Sequence, residues 1–577
     1  MKIALAQLNP TSGDIAGNAA RLGHAMDRAD AAGADLLVAP EMVVPGYCIG
    51  DQIEELEFLA ANRAAAEQIA ASTRRMAVVF GFIEHDPRRV NEDGRVRKYN
   101  AAAVAQDGRL VGVARKSLLP SYRYFDDKRY FTPGAKRSPI PIRVGRRTVR
   151  LGVSICEDMW DRTYRVKPIA DLVRQRADVL LNINASPFVP GKRFERAHLI
   201  SGHVAASRKP FVYVNTVGIG DNGKNVIPFD GESLVFDARG SLIHAGRQFE
   251  DEVVLIDLAE KHTPQALPAL QREEDIYKAL VFSLREYARH GGFRGAIVPV
   301  SGGVDSSLAF AIAAAAFGPT EVVAYNLPSR FNSETTKALA QKLCANFGAA
   351  CTVIPIGEID ATVHRTFECG AHPIQNGVTR ENIQARVRGL LMMAESNDTG
   401  RLLISCGNET EVALGYATLY GDMCGGLSLI GDLSKVDVYL VARYVNRLHR
   451  SEMIPEAVFQ LVPSAELRDN QRDPFDYDVT APLVGELIER RRSPADLVTA
   501  FRLRTLDPER FRPDAQGRTV YDKHTAESFD ELVYETYLLM KRAVYKRLQG
   551  PPIVLVSERG FGFDLRETII NGWNGRM

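Results

Sequence analysis

The chain has 577 residues, of which 45% are hydrophobic and 25% are charged, and its formal net charge is +1 at pH 7. This length is too great for one hydrophobic core and predicts several domains, while the composition is that of an ordinary globular protein. The near-neutral charge argues against a protein whose main role is to bind nucleic acid or an anionic membrane.

The N-terminal stretch MKIALAQLNP predicts a strand and meets Pro10 too early for the apolar region of a signal peptide. The longest apolar run, LAFAIAAAAFG at 308–318, is far too short to span a bilayer. The seven cysteines form no CxxC pair and show no zinc-type spacing with histidine. We therefore expect a reduced, cytoplasmic protein.

Strand-like and helical stretches alternate up to about residue 258 and predict an α/β domain over residues 1–260. The strand-like runs are KIALAQL, DLLVAPE, MAVVFGFIEH, NAAAVAQ, RLVGVAR, RLGVSIC, DVLLNINAS, PFVYVNTVG, ESLVFDA and VVLIDL. A following stretch rich in proline and charge predicts a linker over residues 261–275.

A second α/β series predicts another domain over residues 276–577. Its strand-like runs are GAIVPV, EVVAYNL, ACTVIPIG and RLLISCG. Strands and helices that alternate at this interval indicate a doubly wound parallel sheet of the Rossmann-like kind. The Arg- and Asp-rich segment 493–525 is interpreted as an insertion or a loop–helix excursion.

Three side chains with chemical potential follow strands of the first domain. Glu41 ends DLLVAPE, Lys116 ends RLVGVARK and Cys156 ends RLGVSIC. Reactive groups gather beyond the carboxyl ends of strands in open α/β sheets, so we expect these three to meet. A thiol nucleophile needs a base, a cation and an oxyanion site. Glu41 suits the first role, Lys116 the second, and the backbone N–H after Cys156 the third.

Two acids, Glu157 and Asp158, directly follow Cys156 and at first argue against a reactive thiol, because nearby carboxylates raise a thiol pKa. Neighbouring residues of an extended segment point to opposite sides, so Glu157 need not face the sulfur. The partners that matter are then the distant Glu41 and Lys116.

The segments PEMVVPGY, RKSLLPSY and SICEDMW resemble, in this order, the signature segments of the nitrilase (carbon–nitrogen hydrolase) superfamily. The resemblance covers about residues 1–260 and implies an αββα sandwich that hydrolyses an amide through a thioester. It implies that Glu41 is the general base, Lys116 the catalytic lysine and Cys156 the nucleophile. Where the family commonly has a second glutamate, the stretch FDDKRYF has the shorter Asp127.

The run GAIVPV leads into SGGVDSS and a helical stretch. Gly302 and Gly303 let the backbone approach phosphate oxygens, Ser301 and Ser306 can donate hydrogen bonds, and a helix N-terminus favours an anion. The loop lacks the lysine of a P-loop that transfers a γ-phosphate, which predicts chemistry at the α-phosphorus with pyrophosphate leaving. Asp305 beside a phosphate predicts a Mg²⁺ between them.

This loop resembles that of the N-type ATP pyrophosphatases. The later segments NLPSRFNSETT, ENIQARVRG, GNETEVALGYATLYGDMCGG, GDLSKVDVY and PSAELR resemble NAD synthetase signatures in the same order. The resemblance implies ATP contacts from Ser301, Gly302, Gly303, Val304, Asp305, Ser306, Ser405 and Lys435. It implies deamido-NAD contacts from Asn382, Glu411 and Lys546, and Mg²⁺ contacts from Asp305 and Glu411. Glu409 stands where the family often has lysine.

Taken together, the two halves resemble the glutamine-dependent NAD synthetase family. The resemblance implies that glutamine, bound by Tyr122, Ser186 and Lys192, is hydrolysed at the Cys–Lys–Glu site. The ammonia would then amidate an adenylated deamido-NAD⁺ with release of AMP and pyrophosphate. A shielded passage for ammonia and a homo-oligomer are also implied, and the other partners are small molecules, with neither nucleic acid nor membrane.

Two alternatives from other classes remain open. One is a different glutamine-dependent adenylating enzyme of the N-type ATP pyrophosphatase group, acting on a nucleotide or a tRNA. A tRNA enzyme would carry a basic RNA-binding module, for which the near-neutral charge gives no support. The other is a non-enzymatic assembly in which one half is inactive, and the intact Glu41, Lys116, Cys156 and SGGVDSS weigh against it.

Overall fold

The computed structural model describes residues 1–370, 373–573 and 575. These residues form two compact units. The first comprises residues 1–222 and 227–270, and the second comprises residues 223–226 and the chain from Gln271 onward. Four residues inside the first half of the chain therefore belong to the second unit. The finer division into 1–260, a linker over 261–275, and 276–577 stays a prediction.

The first half of the chain contains fourteen strands and five helices among the described residues. The strands are β1 (Lys2–Gln7), β2 (Leu36–Val38), β3 (Ala77–Val90), β4 (Val96–Gln106), β5 (Arg109–Arg115), β6 (Ile140–Val144), β7 (Arg147–Ile155), β8 (Val179–Asn184), β9 (Phe211–Asn215), β10 (Val217–Asp221), β11 (Asn225–Asp230), β12 (Leu234–Phe236), β13 (Leu242–Ala245) and β14 (Glu252–Asp257). The helices are α1 (Ile15–Ala31), α2 (Leu56–Ser72), α3 (Asp127–Tyr130), α4 (Pro168–Arg174) and α5 (Lys192–Ser207).

Two six-stranded sheets form the first unit, with the orders β14-β1-β2-β3-β4-β5 and β13-β12-β9-β8-β7-β6. Strands β1 to β3 are parallel, as are β7 to β9, while the outer strands are antiparallel. In β1, Ile3 and Leu5 pack in the cluster between the two sheets, and Ala4 and Ala6 face α1 and α2. Helices α4 and α5 cover the second sheet. The predicted αββα sandwich is confirmed.

The second unit contributes the remaining described strands and helices. The strands are β15 (Ala296–Pro299), β16 (Val322–Asn326), β17 (Cys351–Val353), β18 (Leu402–Ser405), β19 (Leu427–Ser428) and β20 (Ile553–Val554). The helices are α6 (Arg272–Gly291), α7 (Val304–Phe317), α8 (Glu334–Asn346), α9 (Gly357–Glu368), α10 (Gly377–Thr399), α11 (Glu409–Leu414), α12 (Lys435–His449), α13 (Tyr477–Ile488), α14 (Pro494–Arg502), α15 (Val520–Lys523), α16 (Ala526–Arg542) and α17 (Val544–Arg547).

The sheet of the second unit has the order β20-β19-β18-β15-β16-β17, and all of these strands are parallel. Residues Asn225 and Val226 of β11 add a further parallel pairing beside β20. The chain starts in the middle at β15, moves outward to β17 and then returns to build the other side from β18. This is a doubly wound sheet, as predicted, and its topological switch point lies between β15 and β18.

The segment 493–525, predicted to be an insertion or a loop–helix excursion, contains α14 and α15 joined by a loop, and it packs into the second unit. Leu497 and Phe501 of α14, Phe511 and Val520 are buried in one cluster with residues of α13 and α16. The ring of Phe501 stacks on that of Phe529 with centroids 4.2 Å apart. The charged residues of the segment hide this apolar spacing in the sequence.

Two structural observations bear on the expected absence of a membrane span and on the expected reduced cysteines. Within the described part of the chain, no helix is long and apolar enough to cross a membrane. All seven cysteines are free thiols.

Candidate active sites

The carboxyl ends of β2 and β5 place Glu41 and Lys116 in contact. Strand β4 runs antiparallel to both β3 and β5, so β2, β3 and β5 point the same way. The Lys116 Nζ donates to Glu41 Oε1 at 2.7 Å and to Asp127 Oδ2 at 2.6 Å, and all three side chains are buried. The predicted Glu–Lys pair therefore meets, and Asp127 reaches the lysine although it is one methylene shorter than glutamate.

Lys116 is held as a cation. Burial lowers the pKa of its ammonium, but the carboxylates of Asp127 and Glu41 outweigh burial and hold that pKa well above its usual value. The Tyr47 hydroxyl donates to Asp127 Oδ1 at 2.8 Å, and the tyrosine ring lies 5.8 Å from Lys116 Nζ. Burial and the two carboxylates also raise the pKa of Tyr47, so this hydroxyl keeps its proton and stays a donor.

Glu41 has two further contacts, and sequence reasoning identified neither of them. The Ala185 N–H, just beyond β8, donates to Glu41 Oε2 at 2.8 Å, and Asn100 Nδ2 donates to Oε1 at 2.7 Å. Asn100 lies beside Lys116, whose backbone N–H donates to the Asn100 carbonyl at 2.9 Å. The available signal was a polar residue that precedes five apolar residues in the run NAAAVAQ, because a buried amide needs a partner.

Cys156 follows β7 and opens a short 3₁₀ turn. Its φ of +43° lies in the left-handed region, which non-glycine residues adopt only when the surroundings hold them there. The side chain is buried. Burial and the Glu41 carboxylate raise the thiol pKa well above its usual value, while Lys116 lowers it. The resting thiol is thus protonated, and a base must remove its proton during attack.

The side chain of Glu157 is held by two phenols. Tyr122 donates to its Oε2 at 2.9 Å and Tyr164 to its Oε1 at 2.8 Å. Glu157 still adds to the raised pKa of Cys156, so its charge reaches the thiol. The carboxylate of Asp158 instead accepts hydrogen bonds from backbone N–H groups.

The three predicted glutamine-binding residues lie near these groups. Ser186 follows β8, its N–H donates to Asn215 Oδ1 at 2.8 Å, and its hydroxyl accepts from Arg196 at 3.2 Å. Lys192 begins α5 and donates to the Pro187 carbonyl at 3.2 Å. Burial and the Arg196 charge lower the pKa of Lys192 to about 8. Cys156 contributes to the pKa shifts of both Lys192 and Tyr122.

In the second unit, the backbone of the loop after β15 passes very close to that of Thr336. Gly302 has φ +92°, and a Cβ there would lie 2.2 Å from the Thr336 carbonyl oxygen, so only glycine fits. The Ser301 hydroxyl accepts from the Gly303 N–H at 3.2 Å, and the Ser306 hydroxyl donates to the Gly303 carbonyl at 3.1 Å. The loop's own serines therefore fix its shape at the start of α7.

Four side chains meet at the switch point of the parallel sheet. Asp305 follows β15, Asn408 and Glu411 follow β18, and Lys435 follows β19. The Lys435 Nζ donates to Asp305 Oδ2 at 2.5 Å and to Glu411 Oε1 at 3.1 Å, and Asn408 Nδ2 donates to Asp305 Oδ1 at 2.8 Å. Sequence reasoning named three of these but not Asn408, although it is the second residue of the quoted GNETE.

The charges of this cluster depend on one another. Burial raises the pKa of Glu411 to about 7, with Lys435 opposing the shift and Asp305 adding to it. Burial lowers the pKa of Lys435, but the two carboxylates outweigh it and raise that pKa well above its usual value. Lys435 is therefore a cation paired with two carboxylates.

The remaining predicted nucleotide-binding residues lie on three other elements. Ser405 ends β18 and its hydroxyl donates to the Asp422 carbonyl at 3.0 Å. Asn382 on α10 accepts from the Thr418 hydroxyl at 2.8 Å. Lys546 on α17 donates to the carbonyls of residues 415 and 417, both at 2.8 Å. Asn382 and Lys546 thus converge on one loop, residues 415–418.

Two positions complete the comparison with the sequence. Val304 is buried in the first turn of α7, where it can offer a ligand only its backbone. Glu409 is also buried, and burial raises its pKa well above the usual value.

Comparisons with known proteins assign both units. The family model for carbon-nitrogen hydrolases matches residues 2–265, and the one for NAD synthases matches residues 276–509. The glutamine-dependent NAD(+) synthetase of Thermotoga maritima is 34% identical over an alignment that covers 99% of this chain and 98% of that protein. The chain belongs to the glutamine-dependent NAD(+) synthetase family.

Further members of the family agree. The glutamine-dependent NAD(+) synthetase of Synechocystis is also 34% identical and is covered over 99% of both chains. A solved structure of the glutamine-dependent NAD(+) synthetase of Acinetobacter baumannii with ADP is 31% identical, has a TM-score of 0.73, and is covered over 99% of its length by all of this chain. The predicted family and its class, a carbon–nitrogen ligase, are thereby confirmed, while the role of each site residue stays a prediction.

Proposed function

We propose that this chain makes NAD⁺ from deamido-NAD⁺, ATP and glutamine, with glutamine hydrolysed in the first unit and deamido-NAD⁺ amidated in the second. The observation that carries this proposal is the presence of two separate reactive clusters in one chain. One is a buried Glu41–Lys116 pair whose charges act on a strand-end thiol. The other is the cluster of Asp305, Glu411 and Lys435 at a topological switch point.

In the first reaction, Cys156 Sγ attacks the amide carbon of glutamine while Glu41 accepts its proton. The Glu157 N–H and the Lys116 ammonium stabilise the oxyanion. Glu41 returns the proton to the leaving nitrogen, so ammonia departs and a thioester remains. A water molecule then attacks the thioester with Glu41 as base, which releases glutamate and restores the thiol.

Glutamine recognition is assigned to Lys192, Tyr122 and Ser186. The amine of Lys192 has a pKa of about 8 and is largely cationic at pH 7, which suits the α-carboxylate of an amino acid. The hydroxyls of Tyr122 and Ser186 can hydrogen-bond the rest of the glutamine. Their positions are fixed by the bonds of Tyr122 to Glu157 and of Ser186 to Arg196.

In the second reaction, the loop from Ser301 to Ser306 cradles the phosphates of ATP at the start of α7. The carboxylate of deamido-NAD⁺ attacks the α-phosphorus, and pyrophosphate leaves. Ammonia then attacks the acyl-adenylate carbon, and AMP leaves. Lys435 opposes the negative charge that develops on phosphate, Ser405 binds ATP, and Asn382 and Lys546 orient the dinucleotide.

Asp305 and Glu411 fit a Mg²⁺ ion. Both carboxylates contact the single Nζ of Lys435, so both can reach one cation, and Mg²⁺ is usually held by one or two carboxylates with phosphate oxygens and water. The described residues contain no group of three or more His, Cys, Asp or Glu suited to a metal, so the substrate phosphates would supply further ligands. The ion would supply charge neutralisation on the leaving pyrophosphate.

We also propose a homo-oligomer in a reducing cytoplasm. The homo-oligomer rests on the family resemblance, and the free thiols support a reducing compartment. Light scattering of the purified protein would measure the subunit count, and a monomeric mass would contradict the proposal.

The test supplies purified protein with Mg-ATP, deamido-NAD⁺ and either glutamine or ammonium, and follows NAD⁺ and AMP. Cys156→Ala should abolish glutamine-driven turnover and spare ammonium-driven turnover. Cys369→Ala, at an exposed thiol, should retain both. Asp305→Ala should fail with either nitrogen source. Equal loss of both activities in Cys156→Ala would contradict the two-site proposal, and ATP cleavage without NAD⁺ formation would favour another adenylating enzyme.

A further inference from the structure

The carboxylate of Asp158 ties the turn at Cys156 to the segment that follows Lys116. It accepts three backbone hydrogen bonds, from the N–H groups of Ser117 at 2.9 Å, Leu118 at 2.8 Å and Ile155 at 3.1 Å. Asp158 is only 2% exposed, so water cannot replace these bonds. Ser117 and Leu118 follow β5 of the first sheet, and Ile155 ends β7 of the second. One side chain therefore links the strand ends that carry the lysine and the thiol.

We propose that Asp158 is a positioning residue of the glutamine-hydrolysing site and holds Cys156 in line with Lys116 and Glu41. The proposal rests on the function proposed above for the first unit. Lys116 and Cys156 come from different sheets, so no common ladder of strand hydrogen bonds fixes their separation. Cys156 also has a φ of +43°, a conformation that persists only when the surroundings hold it. A displacement of about 1 Å in an active site can cost roughly a hundredfold in rate.

The charge state of Asp158 supplies a measurable signature. Burial raises its pKa to about 7, while the three N–H donors and Lys116 lower it. The charge that acts on it is that of Lys116, on the neighbouring strand end, and Cys156 and Glu157 lie on its own turn. Arg137 hydrogen-bonds Ser117 and pairs with Asp171 of α4, which packs on this turn. Protonation turns one carboxylate oxygen into an O–H donor and weakens the carboxyl as an acceptor of the three N–H groups. We therefore expect the alignment to weaken as the pH falls through about 7.

A fall in pH has the opposite effect on the stability of the folded chain from its effect on the alignment of the site. The pKa of Asp158 is higher in the folded chain than its usual value near 4, so the folded chain binds this proton more tightly than the unfolded chain. Protonation as the pH falls through about 7 consequently favours the folded state. A loss of glutamine-driven turnover that comes from Asp158 should occur without unfolding.

Two variants test the proposal in the full-length enzyme. Asp158→Asn keeps the shape and one acceptor oxygen, and Asp158→Ala removes the acceptors. We expect the glutamine-driven kcat to fall roughly 10- to 100-fold in Asp158→Asn and further in Asp158→Ala, with the glutamine KM within about threefold. Ammonium-driven turnover should stay within about twofold of the parent. Asp237→Asn is the matched control, because Asp237 also accepts two backbone N–H groups and should retain both activities.

Two readouts separate positioning from general damage. The parent's glutamine-driven kcat should fall as the pH drops below about 7, and Asp158→Asn should lack this step. Alkylation of Cys156 by iodoacetamide, followed by mass spectrometry, should be slower in both variants. Parental kcat, pH profile and alkylation in Asp158→Asn, with Cys156→Ala still inactive towards glutamine, would overturn this proposal alone. Glutamine use by Cys156→Ala would overturn the proposed function and this proposal together.

Discussion

Replacing Asp127 by asparagine should selectively damage the first unit. The Lys116 side chain is fully buried and is paired with Asp127 at 2.6 Å and with Glu41 at 2.7 Å. Asparagine keeps the shape and an acceptor but removes one of the two charges that offset the buried ammonium. Breaking a buried ion pair by removing one partner costs about 3–5 kcal/mol, and the remaining Glu41 contact places this case near 3 kcal/mol. For a unit of this size, that lowers the melting temperature by roughly 6–12 °C.

The same substitution, Asp127→Asn, should also lower the glutamine-driven turnover. Without the Asp127 charge, Glu41 is the one remaining carboxylate that offsets the Lys116 ammonium, so the ammonium competes more strongly with the Cys156 proton for Glu41. We therefore expect glutamine-driven kcat to fall roughly 10- to 100-fold, an amount typical of a disturbed general base, while ammonium-driven turnover is unchanged.

Calorimetry and the two turnover assays measure these effects, with Asp93→Asn as the control. Asp93 pairs with Arg95 at 2.6 Å, the same separation as in the buried pair, but both side chains are 45% exposed. Solvent screens that pair, so its loss should leave the melting temperature and both activities unchanged. An Asp127→Asn variant that melts and hydrolyses glutamine like the parent would refute the reasoning.

Three other outcomes follow from the structure. Asn100→Ala removes a hydrogen-bond donor to Glu41 and should lower glutamine-driven turnover about tenfold, because a misaligned general base transfers the proton more slowly. An equal decline in ammonium-driven turnover would count against a role of Asn100 in orienting Glu41. Gly302→Ala should end turnover with either nitrogen source, because the added Cβ would lie 2.2 Å from a backbone oxygen. Gly348→Ala is the control and should remain active, since Gly348 also has a positive φ but faces open space. A fully active Gly302→Ala would show that the loop accepts a side chain. The glutamine KM should rise as the pH passes about 8, because Lys192 has a pKa of about 8 and loses its charge above it. Lys192→Arg should flatten this rise, and an undiminished rise would assign it to another group.

The arrangement of the first site was largely predictable from strand ends. Glu41, Lys116 and Cys156 each follow an apolar run, and reactive groups gather beyond the carboxyl ends of strands. Glu41 and Lys116 follow strands of one sheet that point the same way, whereas Cys156 follows a strand of the other sheet. The alternation of strands and helices likewise predicted the α/β class of both units, while the two-sheet sandwich of the first was implied by the family resemblance. These inferences succeed because hydrophobic periodicity and chain order are local properties of a sequence.

Other features depend on contacts between distant residues. Nothing in the sequence around Asp158 shows that its carboxylate accepts N–H groups from residues 117 and 118, some forty positions earlier. Strands β19 and β20 have two residues each, too few for a pattern of alternating side chains. The aromatic core of 493–525 was hidden by the charged residues between its apolar positions. In each case the burial that defines the feature is created only by folding.

The four residues 223–226 limit how the halves of this enzyme can be separated. In the second unit, Asn225 Nδ2 donates to the Phe561 carbonyl at 2.6 Å, and its Oδ1 accepts from the N–H groups of Phe563 and Asp564 at 2.8 and 3.1 Å. A chain cut at Leu270 would remove these bonds from the synthetase half, where each buried donor left without a partner costs about 1–3 kcal/mol. The amidase half would keep an unpaired strand edge, which invites aggregation. An exchange of the synthetase half between homologues should therefore carry residues 223–226 together with the C-terminal segment that Asn225 contacts.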